Sequence, residues 1–452
     1  MSKQTRTTNR RWQPVRLKGD MICRMNRRDF LAAAAIAAPA ALGANDRVTV
    51  GLIGCGGRGR YVAKRMRETP GVEFAAVADV YETNAASAKQ WAGDRARQYK
   101  DFRQLLEQKD LDAVLIATPD HWHATAAVLA CEAGKHVYVE KPVAHNVREG
   151  RAIVNAARKN KRLVQAGTQQ RSATHFPDIA KLVQSGDLGQ VRFVRVWNYL
   201  QFYPNGIGPA ADSNPPDGLD WDFYLGPAPK VPFNSKRFLR TFRWFRDYAG
   251  GLITDFGTHR FDTVHQIMGE DQPRSVVAAG WKGVLNNNGD MPDSMQVTYE
   301  YPGFTLSYEC TYVNGHGLGG RTAGMKYYDM LGSEDRPHGM AFYGTNGTVF
   351  ADRIGYDIYP EPKSRIERKF LNTTDATGLH TRNFVQSIRG IEKLHADIEG
   401  GHRATLVGHL GNIAYLTGRK LRWDAERESF HDDAQADEYL SRAARPEWKL
   451  IG

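Results

Sequence analysis

A chain of 452 residues, 41% hydrophobic and carrying 44 glycines, is long enough for two domains with sizeable cores and too apolar to be disordered. Its formal charge of +11 resembles a nucleic-acid signature, but residues 1–44 hold nine basic and two acidic residues, net +7, leaving +4 for everything after them. The excess charge therefore sits in a leader, and no nucleic-acid-binding surface is needed to explain it.

The leader has a pattern of its own. Asn26, Arg27, Arg28, Asp29, Phe30 and Leu31 precede an alanine-rich apolar run from Ala32 to Ala44. A twin arginine followed by a short, weakly apolar stretch predicts a signal for export of a folded protein, with a periplasmic or extracytoplasmic destination. The run is too short to span a bilayer, so no stable membrane insertion is expected. Ala38, Ala40 and Ala44 offer cleavage points, and Met25 is a more natural start than Met1, making residues 1–24 an upstream extension. Cys23, Cys55, Cys131 and Cys310 show no paired spacing, so a disulfide framework is not expected.

The second stretch, residues 45–171, alternates strands with helices. Val48, Val50, Leu52 and Ile53 lead into Gly54-x-Gly56-x-x-Gly59, and a helix opens at Tyr61. That order is the context a dinucleotide fingerprint requires. Gly54 permits the tight turn, Gly56 lets backbone approach a pyrophosphate, and Gly59 lets the helix pack on the strand. The phosphates then lie at the positive end of the helix dipole. The strand from Val72 ends in Asp79, twenty residues past Gly59, where an acid accepts the ribose hydroxyls and repels a 2′-phosphate, favouring NAD over NADP. Helices are predicted over 84–98, from Phe102, over 124–134 and over 147–159, with strands over 112–119, 136–142 and from Leu163. This predicts an α/β fold with a doubly wound parallel sheet. Ligands of such sheets bind beyond the carboxyl ends of the strands. Asp79, Thr118 to His123, Glu140 to Pro142 and Gln169 to Arg171 all fall there.

Four segments together resemble one family. Gly54 to Gly59, Ala117-Thr-Pro-Asp-His-Trp-His123, Glu140-Lys-Pro142 and Gly250 to Asp262 are similar to the successive motifs of the glucose–fructose oxidoreductase, inositol dehydrogenase and rhizopine-catabolism (Gfo/Idh/MocA) family. The resemblance spans about residues 47–425. It implies a Rossmann domain over 45–171 and a C-terminal α/β domain over 172–452 with a large open mixed sheet. That sheet would cover the nicotinamide and join copies into a homo-oligomer, a dimer or tetramer. It also implies NAD as cofactor and oxidation or reduction of a sugar or polyol carbon. The expected cofactor-binding residues are Gly54, Gly56, Gly57, Arg58, Gly59, Asp79, Thr118, Pro119, His123, Glu140, Lys141 and Gln169.

The chemistry needs three further roles. The resemblance places Lys141 beside the reacting carbon, where a partly desolvated amine orients or exchanges a proton with a hydroxyl. Asp255 and His259 stand four apart, on one face of a helix. A histidine near neutral pKa takes the hydroxyl proton as hydride leaves, and an aspartate orients it. Asp262, three further on, is expected to support His259, and His265 to face elsewhere. Asp120, His121 and His123 contain metal-ligand types, but without the spacing of a closed site, and no metal is expected. His145, His175, His402 and His409 have no context that assigns them a role.

Residues 197–250 are rich in aromatics. Trp197, Trp221 and Trp244, with Arg171 nearby in the crevice, suit a carbohydrate groove as well as they suit the packing of a long loop. Export adds a constraint: outside the cytoplasm a released dinucleotide is lost, so NAD should be held tightly and recycled in each cycle. Two chemistries do this. One oxidises a hydroxyl of one sugar and reduces another. The other hydrolyses a glycoside through transient ring oxidation, elimination, hydration and re-reduction. A non-catalytic sugar-binding protein is the remaining reading, and it has no use for Lys141, Asp255 and His259 together.

Overall fold

The computed structural model describes residues 47–315, 338–367, 370–372 and 375–449; the expected export signal and cleavage points of residues 1–44 lie outside them. The first sheet is built from β1 (Val48–Ile53), β2 (Val72–Ala78), β3 (Arg97–Tyr99), β4 (Ala113–Ile116), β5 (His136–Val139) and β6 (Val164–Ala166). Its strands run in the order β3-β2-β1-β4-β5-β6, and every pairing is parallel. Order 3-2-1-4-5-6 is that of the dinucleotide-binding fold, with the crevice between β1 and β4 where the winding reverses. The apolar runs of β1 and β4 are buried on both faces because helices cover both.

Between the strands run α1 (Gly57–Arg67), α2 (Glu82–Ala92), α3 (Phe102–Leu106), α4 (Asp120–Glu132) and α5 (Val147–Lys159). Three differ from expectation. The helix predicted to open at Tyr61 begins at Gly57, because Gly56 is its extended N-cap and the glycine turn itself forms the first helical turn. The helix predicted over 84–98 stops at Ala92, because Gly93 takes φ +113, and Arg97–Tyr99 becomes an edge strand instead. The helix predicted from Ala124 begins at Asp120, one residue after Pro119 at its N-cap, so Asp120 to His123 form a first helical turn rather than a strand end.

After α6 (His175–Gln184) the chain builds a second, ten-stranded sheet. Its strands are β7 (Phe193–Tyr199), β8 (Ser275–Trp281), β9 (Ser294–Tyr301), β10 (Phe304–Thr311), β11 (His338–Gly344), β12 (Gly347–Ala351), β13 (Gly355–Pro360), β14 (Phe370–Asn372), β15 (Leu421–Asp424) and β16 (Ser429–Phe430). β7 pairs parallel with β10 and antiparallel with β11, so the sheet is mixed. Before β8 come α7 (Trp221–Leu225) and α8 (Leu252–Met268); after β14 come α9 (Ala376–Ile388) and α10 (Ile398–Thr417). One face of the sheet buries Val297, Tyr299, Leu306 and Tyr308 against Ile253, Phe261 and Val264 of α8 and Leu406 and Leu410 of α10. The alternate residues of β9 face outward, which is the pattern of a sheet with one bare face. α9 returns to the first sheet, seating Phe384 and Val385 against Val62 and Met66 of α1. No helix among the described residues is long and apolar enough to cross a membrane.

The aromatic stretch between β7 and α8 packs inward. Trp197 is fully buried within the sheet's core, so it cannot stack on a sugar. Trp221 donates to the Val231 carbonyl (2.8 Å) and stacks on Tyr224. The loop closes over the end of β2: Glu82 N donates to Gly218 O (2.9 Å), Asp220 N to Val80 O (3.0 Å), and Lys100 pairs with Asp220 (2.8 Å). Tyr81 packs edge-on against Phe238.

Truncating Phe261, which touches Tyr299 and Tyr308 on the sheet, leaves a cavity beneath α8. Phe261→Ala is expected to cost about 3–5 kcal/mol in urea denaturation, with the unfolding transition moving to lower urea.

Candidate active site

The site grows from the glycine turn. Gly54 takes φ +86, and a Cβ there would collide with the backbone of Ala117 and Thr118. A Cβ on Gly59 would collide with the Gly54 carbonyl, whereas on Gly56 or Gly57 it would meet nothing, so the surface above the turn is open. Gly56 is the N-cap of α1 and offers no side chain to its first-turn amides, which are left for an anion. Asp79 sits at the end of β2. Its two oxygens accept from Cys55 N (2.7 Å) and Tyr81 N (2.9 Å), fixing the turn and keeping further lone pairs. Burial raises its pKa to about 6, although those two amides pull it down. Across the crevice Arg58 pairs with Glu140 at 2.9 Å. Among the described residues, Thr118 Oγ1 and Gln169 Oε1 are buried at the strand ends without a hydrogen-bond partner. An open anion cradle, a ribose-level carboxylate and polar atoms left over beside them fit a dinucleotide.

His123 differs from expectation. Its Nδ1 lies 2.7 Å from the Pro142 carbonyl and its Nε2 2.9 Å from the Thr118 carbonyl, so both ring nitrogens are committed to backbone. It ties the turn after β4 to the turn after β5 and positions the cofactor crevice without reaching into it. Pro119 serves as the N-cap of α4.

Beyond Glu140, Lys141 crosses to the first turn of α8. Its Nζ donates to the Asp255 carbonyl (2.9 Å) and to Asp255 Oδ1. The same Oδ1 lies 3.3 Å from Arg243 Nε, so two cations share one carboxylate. Burial alone would raise the Asp255 pKa, but the charges and hydrogen bonds of Lys141 and Arg243 reverse this and hold it well below the usual range. His259, one turn along, is buried with Nδ1 unpartnered among the described residues. Burial pushes its pKa well below the usual value, and the positive charges of Lys141, Arg353, Arg58 and Arg260 push it further. The imidazole is therefore neutral. It can accept a hydrogen bond but is a poor place to leave a proton, which corrects the expected near-neutral pKa.

Asp262 does not support His259: it is fully buried and accepts from Arg171 Nε at 2.7 Å. Arg171, expected to meet substrate, thus spends one edge on holding α8 to the turn after β6. His265 does face elsewhere, 2.9 Å from the Tyr301 hydroxyl. Trp244 is half-buried against Phe202 and Tyr312. His145, His175 and His409 each meet a backbone carbonyl, and His402 meets Glu428, as structural histidines do. Sequence reasoning missed Arg243 because its partner lies twelve residues away and no motif contains it.

The parallel sheet, its open glycine cradle and the mixed-sheet domain that brings Asp255 to Lys141 define a two-domain protein of the nicotinamide-dependent oxidoreductase class. Residues 48–168 match the Gfo/Idh/MocA oxidoreductase family, NAD-binding Rossmann fold, and residues 172–301 and 329–450 match that family's C-terminal α/β domain. The chain belongs to this family, and its cofactor is NAD. It is 32% identical over 151 residues to inositol 2-dehydrogenase of Salmonella typhimurium, covering 33% of this chain and 45% of that one. It is 28% identical over 244 residues to levoglucosan dehydrogenase of Pseudarthrobacter phenanthrenivorans, covering 52% and 55%. The chain thus spans about half the length of the curated relatives it matches. Among solved structures, levoglucosan dehydrogenase with NADH and levoglucosan superposes with TM-score 0.63 at 19% identity, covering 83% of this chain and 99% of that one. An aldose–aldose oxidoreductase from Caulobacter crescentus gives 0.62 at 17%, covering 83% and 99%. At these identities the superpositions speak for the fold.

Because a Cβ at residue 59 would displace the Gly54 carbonyl, Gly59→Ala is expected to purify folded but without nucleotide. Titration of each protein with NADH, followed by its fluorescence, checks this: the wild type is expected to bind and the variant not.

Proposed function

We propose that this protein is an NAD-dependent oxidoreductase acting on a hydroxyl of a sugar, polyol or glycoside, with a cofactor that stays bound and is recycled. The observation that carries the reading is the Lys141–Asp255 pair with the neutral His259 one helical turn away, at the carboxyl ends of β4 and β5. When bound, the nicotinamide supplies the two-electron acceptor for a hydride. Lys141 donates to the substrate oxygen and exchanges a proton with it as the carbonyl forms, releasing one to solvent as it takes the hydroxyl proton. Asp255 stays ionised throughout and fixes the ammonium. His259 accepts a hydrogen bond from a neighbouring hydroxyl and so orients the sugar. Thr118, Glu140 and Gln169 orient the nicotinamide half, and Asp79 holds the adenosine ribose.

Relatives named for inositol and levoglucosan support a polyhydroxylated substrate. Retention of NAD is supported by the loop over the end of β2, where Gly218 and Asp220 bond to Glu82 and Val80 beside Asp79. The Arg27–Arg28 pattern supports an extracytoplasmic location, and fractionation of cells expressing the Arg27→Lys, Arg28→Lys chain tests it: retention in the cytoplasm is expected. We place the homo-oligomer contact on the bare sheet face, where Val277 and Trp281 are exposed.

The test is a screen of the NAD-loaded protein against free sugars, inositols and nitrophenyl glycosides. Oxidation of one sugar matched by reduction of another supports the proposal. Release of nitrophenol without net redox change would establish the glycosidase chemistry in its place. Lys141→Ala is expected to lower kcat by about 10²–10⁴-fold while NAD content is kept; unchanged turnover would reduce the site to a binding pocket.

A further inference from the structure

Residues 441–449 have no part in the chemistry above, yet they hold down an element that stands over the dinucleotide crevice. That element begins with residues 218–220, seated on the turn just past Asp79: Glu82 N donates to Gly218 O (2.9 Å) and Asp220 N to Val80 O (3.0 Å). It runs straight into α7, whose Tyr224 carbonyl meets both His121 Nε2 and Trp122 Nε1 at 2.9 Å. His121 and Trp122 belong to the first turn of α4, just past Thr118 at the end of β4. Residues 218–225 therefore form an arch with one foot at the end of β2 and the other at the end of β4. Those two strands flank β1 and its glycine turn. A dinucleotide with its ribose at Asp79 has its adenosine half between these walls.

The segment 441–449 lies across this arch and its β4 foot. Trp448 stacks on Phe223 of α7, with ring centroids 5.4 Å apart and 12° between the planes, and meets Trp122 of α4 edge-on at 4.8 Å. The Arg103 guanidinium, from α3, lies over the Trp448 ring at 4.9 Å. Arg445 Nη2 donates to Asp222 Oδ2 of α7 at 3.1 Å. Arg442 donates through Nη2 to the His121 carbonyl (2.7 Å) and through Nε to Glu149 Oε1 of α5 (2.6 Å). Beneath them Gly226 takes φ +48, and a Cβ there would collide with the Trp122 indole, so α7 ends hard against α4.

We propose that residues 441–449 are the clasp of the nucleotide site: they hold the arch 218–225 down, and the dinucleotide enters or leaves when the clasp lets go. The inference deepens the retention of NAD in the proposed function; it rests on a dinucleotide lying across the glycine turn and on no particular sugar. Trp448 is the anchor of the clasp. The Arg445–Asp222 pair is half-exposed, and such pairs contribute little singly. An indole packed against two aromatic rings and a guanidinium holds far more apolar area out of water. Because the clasp acts on the arch and not on the nucleotide, weakening it favours the open form with or without a nucleotide inside. A gate of this kind changes entry and exit by one factor and leaves their ratio, the affinity, where it was.

The test measures NADH association and dissociation by stopped-flow fluorescence in the wild type, Trp448→Ala and Arg445→Gln, each first freed of nucleotide and checked for folding by circular dichroism. Trp448→Ala is expected to raise both rates about 10-fold, with Kd moving by less than about 2-fold. Arg445→Gln should raise both by about 2-fold, as fits a half-exposed pair. Unchanged rates in folded Trp448→Ala would overturn the clasp. So would faster release with unchanged entry, which marks damage to the pocket and not the opening of a gate. If Trp448→Ala does not fold, Arg445→Gln is read by the same rule. A wild type that binds no NADH would instead sink the nucleotide site itself.

Discussion

The sharing of one carboxylate by two cations, Lys141 and Arg243 on Asp255, governs the electrostatics of the whole site. The three side chains are half-buried, so the charges of the two cations are only partly screened by water. A buried pair broken on one side costs about 3–5 kcal/mol, far more than it contributes when intact. The arrangement is thus a constraint more than a source of stability. It fixes α8 against the turn after β5, and with it the distance between the mixed sheet and the dinucleotide crevice. Burial keeps His259 neutral, and the positive charge of Lys141 adds to that effect. The same charge draws the Asp120 pKa down from where burial alone would leave it. The ion cluster thereby modulates what burial does to its neighbours.

The second organising feature is closure. In a bare dinucleotide-binding domain the end of β2 faces solvent. Here the loop between β7 and α8 forms a backbone bridge from Leu219 to Tyr81, and its aromatic core of Phe233 and Phe238 packs against Val80 and Tyr81. The carboxylate at Asp79 is correspondingly desolvated. The tail adds a further tie: Trp448 packs on Trp122 and Phe223, and Arg442 donates to the His121 carbonyl at 2.7 Å. Walls of this kind slow exchange of whatever they enclose. Their cost is a longer chain; their material is the aromatic residues whose composition suggested a sugar groove.

The local order of strand, glycine turn and helix was legible from residues 48–66, because each step rests on near-neighbour physics: β-branched runs, a residue free to take positive φ, a helix start. The acid at the end of β2 and the Asp255–His259 spacing were legible for the same reason. The start of α4 was misplaced by four residues, since a helix that buries all sides of its first turn shows no amphipathic period. The short strand β3 was lost inside a predicted helix because its pairing with β2, not its own sequence, makes it a strand.

Sequence alone therefore determined the residue types and their local geometry: which loop cradles phosphate, which helix carries the carboxylate and the imidazole. Tertiary structure decided their company. That Lys141 meets Asp255, that Arg243 joins them, that Asp262 goes to Arg171, and that Asp120 is left with an idle oxygen all depend on contacts between segments far apart in the chain. Charge and desolvation act through space, so no reading along the chain could assign which of these groups keeps its proton.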